Sequence, residues 1–414
     1  MSRSVAEHVV RDRLWQRHML LARHGATPAN GVNRQALSAE EIAARRELIA
    51  WSDALGLSAH TDAAGNLFLR MEGRDPSAAP VLSGSHLDSQ PTGGKFDGAY
   101  GVLAALEAVQ AIRESGLTPR RPIEIVAWMN EEGSRFAPGM MGSAAFAGAV
   151  ALEKMLQVRD ADGITVAQGL ADMGRAFPAL PQRALGRPLA AYVEAHIEQG
   201  PVLEKERCSV GVVTGIQGKR TFRVSVAGED AHAGTAPLRG RKDALLAAIA
   251  MIQALSNALH DDEDIVKFTV GRLEVRPNAP SVVAGHVVFS IDLRHPVEAR
   301  LRELGGRVPG ICGESAPPCT VSVEELVSAM PLEFPSAMQA QIRDAARRLG
   351  LRSMDLPSAA GHDARYLHGV CPTAMIFVPC KAGISHNEAE SATPDDLYDG
   401  ARVLAETLLA LAER

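Results

Sequence analysis

Five short segments carry side chains that could perform chemistry together: Gly84-Ser85-His86-Leu87-Asp88, Lys95-Phe96-Asp97-Gly98, Asn130-Glu131-Glu132-Gly133, Glu194-Ala195-His196-Ile197-Glu198-Gln199 and Ser385-His386-Asn387-Glu388. Isolated imidazoles and carboxylates, most of them at the end of an apolar run, are the donors a two-metal hydrolytic centre requires. Asp97 sits in the glycine-rich run 93–98, where the backbone can approach a cation closely, and its two oxygens could bridge a pair of ions as an imidazole cannot. Asp88 is near enough to His86 to fix its tautomer. Glu131 and Glu132 are adjacent, so they cannot both coordinate from one face of a regular strand: one can ligate while the other stays free as a base. Each signal alone is weak, since a loop histidine is usually structural and paired glutamates are usually solvated. Their joint occurrence at strand-to-loop transitions is what points to a site.

The elements that must position these residues follow from periodicity. Ser38 and Glu41 have capping-box spacing, and Glu40 to Leu55 reads as a helix stopped by Gly56. Leu67 to Leu69, Val81-Leu82 and Ile123 to Trp128 read as strands, the last nearly continuous in apolar character as buried strands are. Val102, Leu106, Val109 and Ile112 form a helical stripe between them, which predicts a β-α-β crossover and a largely parallel sheet covered by helices. Ending the second strand at Leu82 places His86 and Asp88 on the loop beyond its carboxyl end, where open α/β sheets bind ligands.

From about Val212 the texture changes. Phe222, Val224 and Val226 alternate, as do Val287, Phe289, Ile291 and Leu293, so both segments predict half-buried antiparallel strands flanking a helix from Asp243 to Ala258. After Pro331 the crossover pattern returns: Ser336 is expected to cap a helix carrying Met338, Ile342, Ala345 and Leu349, Ala374 to Val378 is a strand, and Pro394 opens a helix with Leu397, Leu404, Leu408 and Leu411 inward. The expected fold is α/β: a mixed, largely parallel sheet covered by helices, formed by 1–211 plus 330–414, with an inserted α+β domain over 212–329.

Composition narrows the partners. The 414 residues are 46% apolar with a net charge of -6 and no basic stripe, which argues against nucleic acid, and the short basic run Arg239 to Lys242 reads as a solvated face. Ala244 to Leu259 is too short and too interrupted to span a bilayer, and the charges in the first 25 residues, without an apolar core, argue against a signal peptide. Five cysteines without C-x-x-C spacing predict reduced thiols in a cytoplasmic protein. His295 and the amino-terminal His8, His18 and His24 are expected to be solvated. Phe136, Met140 and Met141 are expected to pack rather than to line a pocket.

The wording of the motifs adds more. H-L-D-S-Q-P-T-G-G-K-F-D-G, N-E-E-G-S-R-F-A-P, E-A-H-I-E-Q-G-P-V-L-E, D-A-H-A-G-T-A-P and G-I-S-H together resemble the N-carbamoyl-L-amino acid hydrolase, β-ureidopropionase and allantoate amidohydrolase group of the zinc aminoacylase and carboxypeptidase family, over nearly the whole chain. The resemblance implies two divalent cations, zinc first, with manganese, cobalt or nickel as alternatives. His86, Asp97 and His196 would hold one and Asp97, Glu132 and His386 the other, with Glu131 as general base and Asp88 as the second catalytic residue. His196 stands where the exopeptidases of the wider family use a carboxylate. Arg294 could equally form a salt bridge with Asp292; the resemblance instead assigns it to a substrate α-carboxylate, with Asn278 beside it, Gln199 and His232 on the ureido group and oxyanion, and Ala360 and Gly361 supplying backbone hydrogen bonds. His362 and Asp363 are expected to support the site rather than act in it. The insert would serve as lid and as homodimer interface.

The implied reaction is cleavage of the carbamoyl C–N bond of N-carbamoyl-L-amino acids or N-carbamoyl-β-alanine to amino acid, carbon dioxide and ammonia. Allantoate or ureidoglycolate hydrolysis and N-acyl deacylation are the alternatives. A non-catalytic descendant would need a damaged centre, and every ligand position is present. Two departures from the family wording bear on specificity: Ala359 in Ser358-Ala359-Ala360-Gly361-His362 and Glu388 where a rigid residue is usual.

Overall fold

The computed structural model describes residues 4–414, which divide into two compact units, 4–214 with 334–414, and 215–333. The chain passes between them at 214/215 and 333/334, slightly beyond the 211/212 and 329/330 joins expected from texture, because the strand Val210–Ile216 continues the main sheet past the point where its composition changes.

The first unit is built on strands β1 (Ser58–Asp62), β2 (Leu67–Met71), β3 (Val81–His86), β4 (Ile123–Trp128), β5 (Ala191–Ile197), β6 (Val210–Ile216) and β7 (Thr373–Val378). Their order across the sheet is β6-β7-β5-β3-β4-β2-β1. The four central strands β7, β5, β3 and β4 are mutually parallel, while β2, β1 and β6 run antiparallel to their inner neighbours. β3, β4, β5 and β7 are buried at every position, as a sheet covered on both faces demands.

Helices α1 (Ala39–Ala54), α2 (Ala99–Glu114), α3 (Ser336–Arg348) and α4 (Pro394–Ala412) belong to this unit. Val102, Leu106, Val109 and Ile112 of α2 and Leu397, Leu404 and Leu408 of α4 are buried in one continuous core with the sheet. Ser38 does cap α1, accepting from Glu41 N at 3.2 Å, but the reciprocal half of the box is not made. Glu41 is fully buried and its carboxylate reaches Leu37 N and the Arg45 guanidinium instead. Ser336 is the first residue of α3 rather than its cap, because Pro335 occupies the cap position and supplies no donor or acceptor side chain. Thr393 caps α4 and Pro394 takes its first position.

The second unit is a five-stranded antiparallel sheet in which His286–His295 pairs along its whole length with Gly218–Ala227, whose other side takes Thr320–Ala329. Phe222, Val224, Val226, Val287, Phe289, Ile291 and Leu293 point inward against the helices Ala244–Ala258 and Glu298–Glu314, and the alternate residues face out. Among the described residues no helix is long and apolar enough to cross a membrane.

Candidate metal centre

The parallel strands deliver the chemistry at their carboxyl ends. β3 runs four residues further than its apolar pair Val81-Leu82 suggests, so His86 is its last residue, opposite Trp128 of β4, and not a loop residue. The segment Ser83-Gly84-Ser85 lacks strand-favouring side chains, yet it is paired along its whole length with β4, and at Ser83 with β5 as well, so tertiary pairing overrides propensity there. Glu131 and Glu132 follow β4, His196 is the penultimate residue of β5 with Gln199 just beyond, and His386 lies on the loop after β7. Asp97 and Gly98 immediately precede α2. Gly98 has φ +63°, and a Cβ there would lie 2.3 Å from the His86 ring, so only glycine lets the Asp97 turn close on that imidazole.

Asp97 lies at the middle of the cluster. Its Oδ1 is 3.6 Å from His86 Nε2 and 3.1 Å from His196 Nε2, and its Oδ2 is 3.2 Å from His386 Nε2. His386 Nε2 is also 3.3 Å from Glu132 Oε2. Two triads, His86/Asp97/His196 and Asp97/Glu132/His386, bring their donor atoms within 4.8 Å of one another and share Asp97. Glu131 projects separately, its Oε2 3.5 Å from His86 Nε2.

The tautomers show that these donors suit cations. His86 Nδ1 donates to Asp88 O at 2.9 Å, and His196 Nδ1 donates to Ile197 O at 2.9 Å. With Nδ1 committed, each ring turns the Nε2 lone pair toward Asp97, and a lone pair facing a carboxylate oxygen is repulsive unless a proton or a cation lies between them. The protonation balance carries the same message. Burial pulls His86 and His196 down, but the surrounding carboxylates outweigh it and raise both. The hydrogen bond to Asp97 pushes His386 up to about 9 against the effect of its burial, with Glu132 adding to the rise. Burial raises Asp97, yet hydrogen bonds from His196, His386 and His86 hold it well below the usual carboxylate range. Burial lifts Glu132 to about 7, helped by Asp97, and holds Glu131 well above the usual carboxylate range, with Asp363, Glu132 and Asp88 adding to the rise. Protons here stand in for positive charge the carboxylates need.

The supporting residues differ in part from expectation. Asp88 fixes His86 through its backbone carbonyl, while its buried carboxylate accepts from Glu131 N at 3.2 Å and Glu132 N at 3.1 Å. It therefore orients the two glutamates and does not reach the reacting position. Gln199, in a left-handed conformation (φ +56°), donates to Asp97 Oδ2 at 2.8 Å. His362 is buried edge-on to His196 with ring centroids 4.6 Å apart and hydrogen-bonds Ser358 Oγ at 2.9 Å; Asp363 accepts from the Ser143 hydroxyl. Glu388 accepts from the Thr27 hydroxyl, so a side-chain tie serves where the family wording has a rigid residue.

In the second unit, His232 Nδ1 accepts from Gly234 N at 3.1 Å and Thr235 N at 3.2 Å, which leaves Nε2 as an outward donor. Asn278 is exposed with φ +55°. Arg294 is engaged by Asp292, Nε to Oδ1 at 2.8 Å and Nη2 to Oδ2 at 3.2 Å, the salt bridge that the sequence allowed as its other use. Ala360 and Gly361 lie on the loop between Ser353–Ser358 and His362, Gly361 exposed.

Several residues escaped the sequence reading. Glu194, two residues before His196 and thus on the same strand face, is fully buried and accepts from Ser85 Oγ, Tyr192 Oη and Ala364 N; period-two spacing in E-A-H was the available signal. Gln90 donates to Glu132 from both its backbone N (3.2 Å) and its Nε2 (2.8 Å), and Glu390 underlies the Asp97 loop. Two histidines expected in solvent are interior: His18 is 1% exposed against Phe96 and Tyr100, and His295 is 8% exposed, with Nδ1 accepting from Val297 N. His24 pairs with Glu47 and His8 is half-buried. Phe136 and Met141 are core residues, as expected.

Residues 82–410 match Peptidase family M20/M25/M40. The chain is 39% identical over 407 residues to an N-carbamoyl-L-amino-acid amidohydrolase of Rhizobium meliloti, covering 97% of this chain and 96% of that one. It is 33% identical to an allantoate amidohydrolase of Bacillus subtilis over 95% of each. The crystal structure of an amidase of the hydantoinase/carbamoylase family from Burkholderia multivorans superposes with a TM-score of 0.88 at 43% identity, over 98% of both chains. With a shared buried carboxylate flanked by imidazoles and a match across most of its length, the chain belongs to the metal-dependent peptidase family M20/M25/M40.

Proposed function

We propose that this protein hydrolyses the carbamoyl C–N bond of N-carbamoyl-L-amino acids, or of N-carbamoyl-β-alanine, giving amino acid, carbon dioxide and ammonia. The observation that carries the reading is the pair of imidazole-lined sites meeting at Asp97 with Glu131 left over beside them. Relatives of that activity at about 40% identity over most of the chain support it. The chain is thus a hydrolase of C–N bonds in linear amides.

Two divalent cations, zinc first, would be held by His86, Asp97 and His196 and by Asp97, Glu132 and His386. Such cations polarise a carbonyl and acidify a water. The protein's own part is proton handling and orientation. Glu131, positioned through its backbone by Asp88, accepts the proton of the attacking water and returns it to the departing nitrogen, so ammonia leaves neutral and the N-carboxyamino acid left behind loses carbon dioxide to give the amino acid.

Substrate recognition is assigned to Arg294 and Asn278 for the α-carboxylate, His232 and Gln199 for the ureido group and the developing oxyanion, and the Ala360-Gly361 backbone. The outward Nε2 donor of His232 suits an oxyanion. For Arg294 the substrate carboxylate would take the place of Asp292 in the same fork. The unit 215–333 acts as lid and homodimer interface. Support comes from the exposed strand Thr320–Ala329 at the end of its sheet and the exposed Leu246 and Ile249 on the helix Ala244–Ala258. Five free, buried cysteines accord with a cytoplasmic setting.

Allantoate or a ureidoglycolate-type acid is the second reading, favoured by the 33% identical Bacillus subtilis relative. A panel of N-carbamoyl-L-amino acids, N-carbamoyl-β-alanine, allantoate, ureidoglycolate and N-acetyl amino acids, assayed for ammonia after reconstitution with zinc, manganese, cobalt or nickel, separates these. Ammonia with free amino acid is expected. Turnover of N-acetyl substrates alone, with acetate and no ammonia, would refute the carbamoyl reading.

A further inference from the structure

A carboxylate with no assigned role ties the two halves of the proposed centre together. Glu390 is 5% exposed, four residues past His386. Its Oε1 accepts from Phe96 N at 2.8 Å and from Asp97 N at 3.1 Å, and its Oε2 accepts from Ser385 Oγ at 2.9 Å. One side chain thereby binds the backbone of the Asp97 loop and the residue before His386. The approach is close: a Cβ at Gly94 would lie 2.1 Å from the Glu390 carboxylate. Ser385 has a single hydroxyl proton and two acceptors in reach, Glu390 Oε2 and Asp97 Oδ2 at 3.0 Å, while Gln199 Nε2 donates to both Asp97 and Ser385.

His386 needs such a tether. It is 51% exposed, holds a left-handed backbone (φ +52°) uncommon for a side chain of its size, and lies on a loop well past the end of β7. Packing alone cannot fix an exposed ring on a loop, whereas His86 and His196 are fixed by the strands that carry them.

We propose that Glu390 is a positioning residue that sets the separation of Asp97 and His386, and through it the geometry of the cation site those two share with Glu132. The inference rests on the two-cation reading above. The Ser385 hydroxyl gives the link a polarity: it donates to Glu390, which leaves both oxygens of Asp97 facing the imidazoles. In Glu390→Gln the amide oxygen can still serve the two backbone N–H groups, but its NH2 meets Ser385 as a donor and turns the hydroxyl toward Asp97.

Competition dialysis with zinc, cobalt and manganese on the full chain, with metal content measured directly, reads this out. Wild type is expected to hold two equivalents. Glu390→Gln is expected to bind one of them about 10- to 100-fold more weakly, the usual cost of losing the partner behind a ligand. Its metal-free melting temperature should stay near the wild-type value, and the visible spectrum of the cobalt-loaded protein should change. Ser385→Ala, which leaves the carboxylate in place, should weaken the same equivalent less, and provides the readout if Glu390→Gln fails to fold. A wild type that holds no cation sinks the two-cation reading itself. Wild-type affinity and cobalt spectrum in the foldable variants, beside a wild type that does hold two, sink the role of Glu390 alone.

Discussion

The two flanks of Asp97 are built by different means. On one side His86 and His196 are 2% and 1% exposed, sit at the ends of β3 and β5, and have their Nδ1 protons committed to backbone carbonyls. On the other, His386 is half exposed, comes from a loop, and meets Glu132, which is itself braced by Gln90. The inner flank is ordered by the same backbone ladder that makes the sheet, so its geometry is present before any cation arrives. The outer flank must be held by side-chain ties, and the entropy of ordering a loop is subtracted from what a cation gains there. The inner site should therefore bind first and release last.

The largest effect tests what the flanks share. Asp97→Asn should empty both sites and lower turnover by at least about 10³-fold, the scale of the several kcal/mol a metal ion contributes to charge stabilisation. Retention of one tightly bound cation would mean that the flanks do not depend on a common carboxylate. Glu131→Gln comes next: two cations retained and turnover reduced by about 10²-fold or more, the usual weight of general acid-base work. Near-normal kcat with full metal content would remove Glu131 from the reaction.

The comparison itself is sharpened by truncating one ring on each side. His386→Ala should lose a single equivalent of cation and, above about pH 9 where the ring is neutral, leave the metal-free melting temperature almost unchanged, since the ring is half exposed. His196→Ala should lose the inner equivalent and also destabilise the fold by about 2 to 4 kcal/mol, because it opens a cavity among fully packed neighbours. Equal melting temperatures for the two variants would contradict the buried-versus-tethered distinction. The smallest effect is one of pH. His386 in the metal-free protein is pushed up to about 9, chiefly by its hydrogen bond to Asp97. A folded-state value above the ordinary 6.5 adds stability that is complete below pH 6.5 and is lost as pH rises through about 9. The melting temperature of metal-free protein should fall over that window, and His386→Ala should flatten the fall.

Much of this was legible in the chain itself. Ile123 to Trp128 and Ala374 to Val378 are found where their apolar runs place them, the alternating strands of the second unit where period-two patterning does, and α2 and α4 follow their apolar stripes. β3 was read short because Ser83-Gly84-Ser85 has no strand-favouring side chain, and its pairing partners are more than forty residues away in β4 and over a hundred away in β5. The cap at Ser38 was visible, whereas the use of Glu41 was not, since its partners Leu37 N and Arg45 lie off the capping-box pattern. His18 was misplaced for a similar reason: an amino-terminal histidine reads as solvated until the helix Arg11–Leu21 that carries it brings it against Phe96 and Tyr100.

What the sequence by itself determined is the set of donors and their placement near the carboxyl ends of parallel strands, because strand and helix periodicities are local properties and glycine turns are local necessities. Tertiary structure alone decided which atoms meet. The sharing of Asp97 between two flanks and the reach of Glu390 to Phe96 and Asp97 depend on side-chain directions and on loops closing across long stretches of chain. Local patterning encodes no such distances; they emerge only when the packed sheet fixes where each strand ends.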